Sequence, residues 1–230
     1  GPRPSLDSAR DRSAVGRMVE QEHSGGRDVA PIGAGVQAPP RPGGVGLHVD
    51  IVFNIAEGYE GRNRESQAPI LLEMLRIPYV GADGLTLGLT LDKVLTKKVL
   101  IAERIPTPRY AEVYDPDALW QVDLTYPLIV KLRCEGSSKG LTPKSVVDTL
   151  EELRRQVAHL AQAYKGAPIF IEEFIEGEEF TIALIGNEHP EIYPVCQIML
   201  DGKTDLGRNF FHFAYLRTGS DYLCPASIPE

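Results

Sequence analysis

The chain has 230 residues, 43% hydrophobic and 24% charged, with a formal net charge of −8. That balance suits an α/β protein with a sizeable core. It offers no apolar run near the ~20 residues that cross a bilayer and disfavours a nucleic-acid partner, which wants a basic surface, while a small anion needs only a few local cations.

The chain opens on Gly1-Pro2-Arg3-Pro4 with neither an initiator Met nor a signal-peptide core, which fits a processed protein, an expression scar or a fragment, the last being the expectation on account of the other end of the chain. Residues 1–48 are rich in Gly, Pro and Arg. The spacing there predicts a short helix around Ser8–Glu22, a brief strand at Val29–Ile32 and loop from Gly33 to Gly46. Organised sequence begins at Val49, with a β-type run to Phe53 and then a polar, Gly-rich loop over Asn54–Arg64. Ser66 is placed to cap a helix running to Leu75, with Pro69 in its first turn where a missing N–H costs little. Ile77–Val80 reads as a strand. Thr90 is placed to cap a helix whose apolar face carries Leu91, Leu95, Val99 and Ala102 and which ends before Pro106 and Pro108.

Further strands are predicted at Pro127–Leu132, Pro168–Phe174, Glu179–Ile185 and Ile192–Met199. A helical period covers Ser145–Tyr164 through Val146, Leu150, Leu153, Val157, Leu160 and Tyr164. Asp201–Ser220 is a long polar and aromatic loop, and no internal repeat is found. Strands alternate with helices early and follow one another directly later. This layout predicts a parallel α/β region joined to an antiparallel α+β region, with a nucleotide-sized cleft between.

Three features carry candidate chemistry. Lys131 ends an apolar strand and is followed by Glu135-Gly136-Ser137-Ser138-Lys139-Gly140, whose glycines let the backbone bend and whose hydroxyls and N–H groups can cradle an anion. This is not the Gly-x-x-x-x-Gly-Lys-Ser/Thr phosphate loop, and by itself it reads as an ordinary hairpin tip with solvated Ser and Lys. Lys93 sits in the first turn of a helix, against the macrodipole, where a shared phosphate would relieve the mismatch; alone it reads as a surface lysine. In Ile171-Glu172-Glu173-Phe174-Ile175 one of the two adjacent carboxylates must face inward, where it can accept from an adenine amino group, and Glu179 follows the Gly177 turn. The bland alternative is a hairpin with acidic residues on its wet face. The three cysteines, Cys134, Cys196 and Cys224, form no metal or redox spacing and read as reduced thiols. Cys134 as a nucleophile has no supporting neighbour.

In order along the chain, Leu91-Asp92-Lys93, Pro127-Leu-Ile-Val-Lys131, Glu135–Gly140 and Ile171–Thr181 together resemble the ATP-grasp ligases, and within them the D-alanine–D-alanine ligase family. Leu72–Gly81, Pro106-Thr-Pro108 and Tyr222–Ala226 add to the likeness, which runs from about Val49 to the end of the chain. The resemblance implies an incomplete ATP-grasp fold with a partial N-terminal parallel α/β domain. The boundaries it suggests are a poorly matched remnant at 1–48, a substrate domain at 49–90, a small ATP-grasp subdomain at 91–178 and the start of a second at 179–230.

The resemblance also implies site roles. Lys93 and Lys131 would bind the ATP phosphates, with Gly136, Ser137, Ser138 and Gly140 folding over them. Glu172 would face the adenine, Glu173, Phe174 and Ile175 would line its ring, and Glu179 would hold the ribose. Ser137 and Tyr215 would link the phosphate loop to a lid at Asp201–Ser220. The implied reaction joins amino acids through an acyl phosphate, making D-alanyl-D-alanine for peptidoglycan with ATP and Mg²⁺, in the cytoplasm, in a protein of a type that is commonly dimeric.

Four departures bear on these expectations. The family's magnesium ligands, an Asp and a Glu-x-Asn, belong to a segment beyond Glu230, so this chain alone is expected to bind ATP weakly without turnover. The Gly-rich turn that supplies a substrate-binding Glu is not recognisable in 1–48. A usual His-Gly pair reads Asn54-Ile55-Ala56-Glu57-Gly58, and a lysine common before the lid tyrosine is Ala214. Glu57, with Arg62 and Arg64 nearby, is therefore a candidate for recognising a different amino acid or amine. The rival readings are a ligase for another amino acid or peptide and a non-catalytic nucleotide-binding domain. A nucleophilic hydrolase is a distant third, because the five histidines show no suitable spacing.

Overall fold

A computed structural model describes residues 49–115, 119, 121–212, 214–215 and 220–228. The helix and strand expected within residues 1–48 lie outside the described residues. Asp50–Glu230 forms one compact unit.

The centre of this unit is a four-stranded antiparallel sheet in the order β3 (Tyr110–Val113), β6 (Ile169–Glu173), β4 (Leu128–Leu132), β5 (Val146–Val147). Alternation along β4 and β6 divides their side chains between two faces. Leu128, Val130 and Leu132, with Ile169 and Ile171, join Leu153, Val157 and Leu160 of helix α4 (Leu150–Ala163) in one buried cluster. Each such side chain contributes ~1.5–3 kcal/mol on burial. Ile129, Lys131, Phe170 and Glu172 alternate with that set and so belong to the opposite face, with Ile129 opposite Glu172 and Lys131 opposite Phe170 in the β4–β6 register.

Helix α4 begins at Leu150, not Ser145. Thr142 and Ser145 close a capping box around a 3₁₀ turn, and the β-branched Val146 and Val147 then pair with Ile129 and Leu128 as an edge strand. Thr149 caps the helix, its hydroxyl accepting from the Glu152 N–H at 3.2 Å.

The expected helix after Thr90 is two helices, α2 (Gly84–Leu91) and α3 (Lys93–Ala102). Thr90 lies within α2 and donates to the Thr86 carbonyl at 2.8 Å. The cap of α3 is Asp92, whose carboxylate accepts from Val94 and Leu95 N–H at 3.1 and 3.2 Å; an ionised acceptor outcompetes the threonine two residues earlier. Ser66 does not cap α1 (Gln67–Met74) either. It ends a 3₁₀ turn over Arg64–Ser66 and donates to the Gly84 carbonyl at 2.6 Å, joining α1 to α2.

β1 (Val52–Phe53) and β2 (Tyr79–Val80) pair in parallel, shorter than the runs predicted for them. In the C-terminal part the long strands break. Glu179–Ile185 becomes β7 (Phe180–Thr181) and β8 (Leu184–Ile185), while Ile192–Met199 becomes β9 (Glu191–Ile192) and β10 (Cys196–Met199). Pro194, which lacks an N–H for a ladder, falls in the second break. β8 and β9 form a hairpin, and β11 (Asp221–Leu223), β10 and β7 form a separate antiparallel sheet in that order. Sequence periodicity did not reveal α2, β3 or β11. Among the described residues no helix is long and apolar enough to cross a membrane.

Candidate nucleotide site

The face of the central sheet opposite α4 bears the candidate site. A cavity of about 300 Å³ is lined by Ile129, Lys131, Glu172 and Phe174 of that sheet and its margin, together with Glu179 and Phe210. Of the adjacent carboxylates, Glu172 turns inward and is buried. Its Oε1 lies 2.5 Å from Lys131 Nζ and its Oε2 lies 2.7 Å from Lys97 Nζ. Burial pushes the Glu172 carboxyl up, but the two ammoniums outweigh it and hold it below the usual carboxylate range. Glu173 turns the other way, accepting from Thr125 N–H at 2.9 Å and Arg109 Nη1 at 3.3 Å. The N–H groups of Glu173 and Phe174 donate to the carbonyls of Arg109 and Pro127, both at 2.9 Å. Ile175 is 70% exposed. Glu179 accepts from the Phe211 N–H at 3.0 Å, so one expected ribose ligand anchors the following loop.

Lys93 stands at the first position of α3 and donates to the Glu135 carbonyl at 2.5 Å. Burial first, and repulsion by Lys131 second, depress its ammonium below the ordinary lysine range. The two ammoniums therefore repel, and an anion between them would relieve that cost. Ser137 and Ser138 adopt positive φ of 49° and 54°, and Gly140 has φ of 78°. Non-glycine residues rarely hold this conformation, and clusters of it mark ligand-binding loops.

The segment Glu57–Glu65 grips that loop. Glu57 Oε1 accepts from the Ser137 hydroxyl, Arg64 Nη1 donates to the Cys134 carbonyl at 2.9 Å, and Arg64 Nη2 lies 3.3 Å from Glu135. Arg64 is thus a structural tie and not a solvated surface group. Glu57, Arg64, Ser137 and Ser138 line a second cavity of about 480 Å³ that reaches His159 and Tyr164 on and beyond α4. Ser137 and Tyr215 are not bonded to each other. Tyr215 Oη accepts from Asn209 Nδ2 at 2.8 Å, and its ring stacks on Phe211, both within its own loop. Cys134 makes a poor nucleophile, since burial and then the Asp92 carboxylate push its thiol up.

Sequence reasoning missed Lys97, Asp92 and Arg133 as site residues. Arg133 forks onto Asp92 (Nε–Oδ1 2.7 Å, Nη2–Oδ2 2.9 Å) and reaches Glu112 at 2.7 Å. The same carboxylate thus caps the helix bearing Lys93 and holds the residue that opens the phosphate loop. The available signal for Lys97 was its i+4 spacing from Lys93, which puts both on one helix face.

The chain as a whole is similar to known proteins. A family model described as the D-ala D-ala ligase C-terminus matches residues 109–230. A D-alanine–D-alanine ligase from Desulforudis audaxviator is 33% identical over 79% of this chain and 58% of its own length. One from Bordetella avium is 31% identical over 93% of this chain and 68% of its own. The solved structure of VanG D-Ala:D-Ser ligase from Enterococcus faecalis superposes with a TM-score of 0.60 at 26% identity, covering 80% of this chain and 52% of that one. The chain thus spans about half to two thirds of the length of the relatives it matches. With a family model over more than half its residues and that sheet-borne pocket in place, the chain belongs to the D-alanine–D-alanine ligase family.

Proposed function

We propose that this chain supplies the ATP-gripping part of a carboxylate–amine ligase that makes D-alanyl-D-alanine or a close analogue. The observation that carries this reading is the Lys131–Glu172 ion pair lining one cavity, with Lys131 close enough to Lys93 for its charge to act on it and Lys93 bonded to the Glu135 carbonyl at the start of the Ser-Gly loop. At about 300 Å³ that cavity sits at the low end of the roughly 300–1,000 Å³ usual for small-ligand sites, which suits an adenine ring. In this reading Glu172 orients the base. The N–H groups of Glu173 and Phe174 are already committed, so the ring edge falls to Ile175. Glu179 takes the ribose when the loop at Phe211 yields its carboxylate. Gly136, Ser138 and Gly140 let backbone N–H groups approach the phosphates.

In the reaction a carboxylate oxygen attacks the γ-phosphorus, the bond to the β-phosphate oxygen breaks, and ADP leaves an acyl phosphate. The amine of a second amino acid then attacks the acyl carbon and expels phosphate, forming the amide and releasing a proton. Lys93 and Lys131 neutralise charge building on the phosphoryl oxygens. Closure of the 201–220 loop, carrying Tyr215, excludes water from the acyl phosphate. Glu57, at the mouth of the loop, faces the amine of an incoming amino acid.

Magnesium is a different matter. The carboxylates of the site are already engaged, Glu172 by two ammoniums, Glu57 by the Ser137 hydroxyl and Glu179 by the Phe211 N–H, and the described residues hold no group of three or more His, Cys, Asp or Glu fit for a metal. No step is therefore assigned to it. The subdomain division at 91–178 and 179–230 is proposed on the same footing. Calorimetric titration of this chain with ATP should show binding that Lys131→Ala weakens at least tenfold, about 1.4 kcal/mol. ADP release by the full-length gene product, screened against D- and L-amino acids, should be greatest with D-alanine or D-serine. Absence of ATP binding, or ADP release indifferent to amino acids, would overturn the reading.

A further inference from the structure

Lys97 and Lys131 share one carboxylate but are held differently. Lys97 is buried on α3, and its three ammonium protons meet three acceptors: Thr107 Oγ1 at 2.8 Å, the Pro108 carbonyl at 2.8 Å and Glu172 Oε2 at 2.7 Å. Its Nζ also lies 5.5 Å from the centre of the Tyr110 ring, on the strand that pairs with β6 at Glu172. Lys131 has a side chain 24% exposed, lines the cavity, and donates to Glu172 alone among the described residues. One cation is saturated and locked; the other is bonded once and open to the cavity.

A lysine bonded to a carboxylate cannot also give its full charge to a phosphate. If Lys131 were the only partner of Glu172, its departure toward a nucleotide would strand a buried charge, which is strongly unfavourable. Lys97 removes that obstacle because it stays on Glu172 when Lys131 leaves. We propose that Lys97 is a positioning residue, a permanent counter-charge that keeps Glu172 ionised and in place so that Lys131 is free to move between Glu172 and the triphosphate. The proposal rests on the ATP reading above, but its central claim concerns the unliganded protein and is testable without nucleotide. Lys93, whose charge also interacts with Glu172, is bonded to the Glu135 carbonyl, and Arg133 is committed to Asp92 and Glu112, so neither takes the place of Lys97.

The test compares wild type with Lys97→Met, Lys97→Arg and Lys97→Met combined with Glu172→Gln. Amine reactivity of Lys131 is read by competitive acetylation and peptide mass spectrometry, after circular dichroism has confirmed folding. In Lys97→Met, Lys131 becomes the sole counter-ion of Glu172 and should label several-fold more slowly than in wild type. Lys97→Arg should restore wild-type labelling, and the double variant should label at least as fast as wild type because Lys131 then faces no carboxylate charge. ATP titrated into the same proteins should bind at least tenfold more weakly to Lys97→Met, about 1.4 kcal/mol. Unchanged or faster labelling of Lys131 in folded Lys97→Met overturns the proposal, whatever ATP does. If Lys97→Met cannot be folded, Lys97→Arg and Glu172→Gln decide it: Glu172→Gln must speed Lys131 labelling, and failure to do so overturns it. Slower labelling in Lys97→Met with no ATP binding by any form sustains the clasp and sinks the nucleotide reading.

Discussion

Replacing Asp92 by alanine should destabilise this chain by about 4 kcal/mol at pH 7. Asp92 is buried, caps α3 through Val94 and Leu95 N–H, and forks with Arg133 at 2.7 and 2.9 Å. Loss of an Asp cap costs ~1 kcal/mol. Breaking a buried ion pair from one side costs roughly 3–5 kcal/mol. The lower end applies because Arg133 keeps Glu112 at 2.7 Å and its side chain is 20% exposed. The Arg62 contact, with that side chain 68% exposed, adds little. A total near 4 kcal/mol is a large share of the ~5–15 kcal/mol of an ordinary fold.

The sign of the pH dependence follows from the same contacts. Burial pushes the Asp92 carboxyl up, but the Arg133 hydrogen bonds, the Leu95 N–H and the Arg133 charge outweigh it and leave it below its ordinary value. A carboxylate depressed in the folded state contributes stability above its unfolded value, near ~3.9, and loses it as pH falls through the folded value. The gap between wild type and Asp92→Ala should therefore be full at pH 7 and narrow below about pH 4. Urea unfolding followed by circular dichroism across this range measures it, with Asp92→Asn as a variant that keeps the cap acceptor and loses the charge. A gap under about 1 kcal/mol at pH 7 is below what a lost buried pair costs and would refute the reasoning, as would a gap unchanged at pH 3, which the depressed carboxylate does not allow.

Leu153→Ala, at a fully buried position facing β4 and β6, should cost ~2–5 kcal/mol in the same assay. Gly140→Ala should cost more than Gly166→Ala although their φ values are 78° and 79°, because only at 140 would the new Cβ meet Leu132 and Leu160 at 3.2 and 3.3 Å. Equal losses would show that those leucines yield freely. Cys134 should react with iodoacetamide at pH 8 more slowly than the exposed Cys224, because burial and then Asp92 raise its thiol; peptide mass spectrometry reads the ratio, and faster labelling at Cys134 would contradict the packing described here.

Short-range chemistry was legible in the amino-acid sequence. The apolar runs within Pro127–Leu132 and Pro168–Phe174 announced two strands, and the geometry of a strand already required that Glu172 and Glu173 part company, as they do. The spacing of Leu153, Val157 and Leu160 announced the helix that covers them. The order of the lysines, the Ser-Gly loop and the acidic strand was enough to point to the family. Competition between near-equivalent local choices was not legible. Thr90, Asp92 and Ser66 are all acceptable caps, and only the arrival of Arg133 from 41 residues away and of the Gly84 carbonyl decided which one serves. Pairing partners were likewise hidden. Lys93, Lys97 and Lys131 look alike in sequence, yet one donates to a loop carbonyl, one is locked by three acceptors and one is left open to the cavity. Periodicity reports which face a residue occupies, whereas a buried charge is defined by the groups that neutralise it, and long-range packing alone brings those groups together.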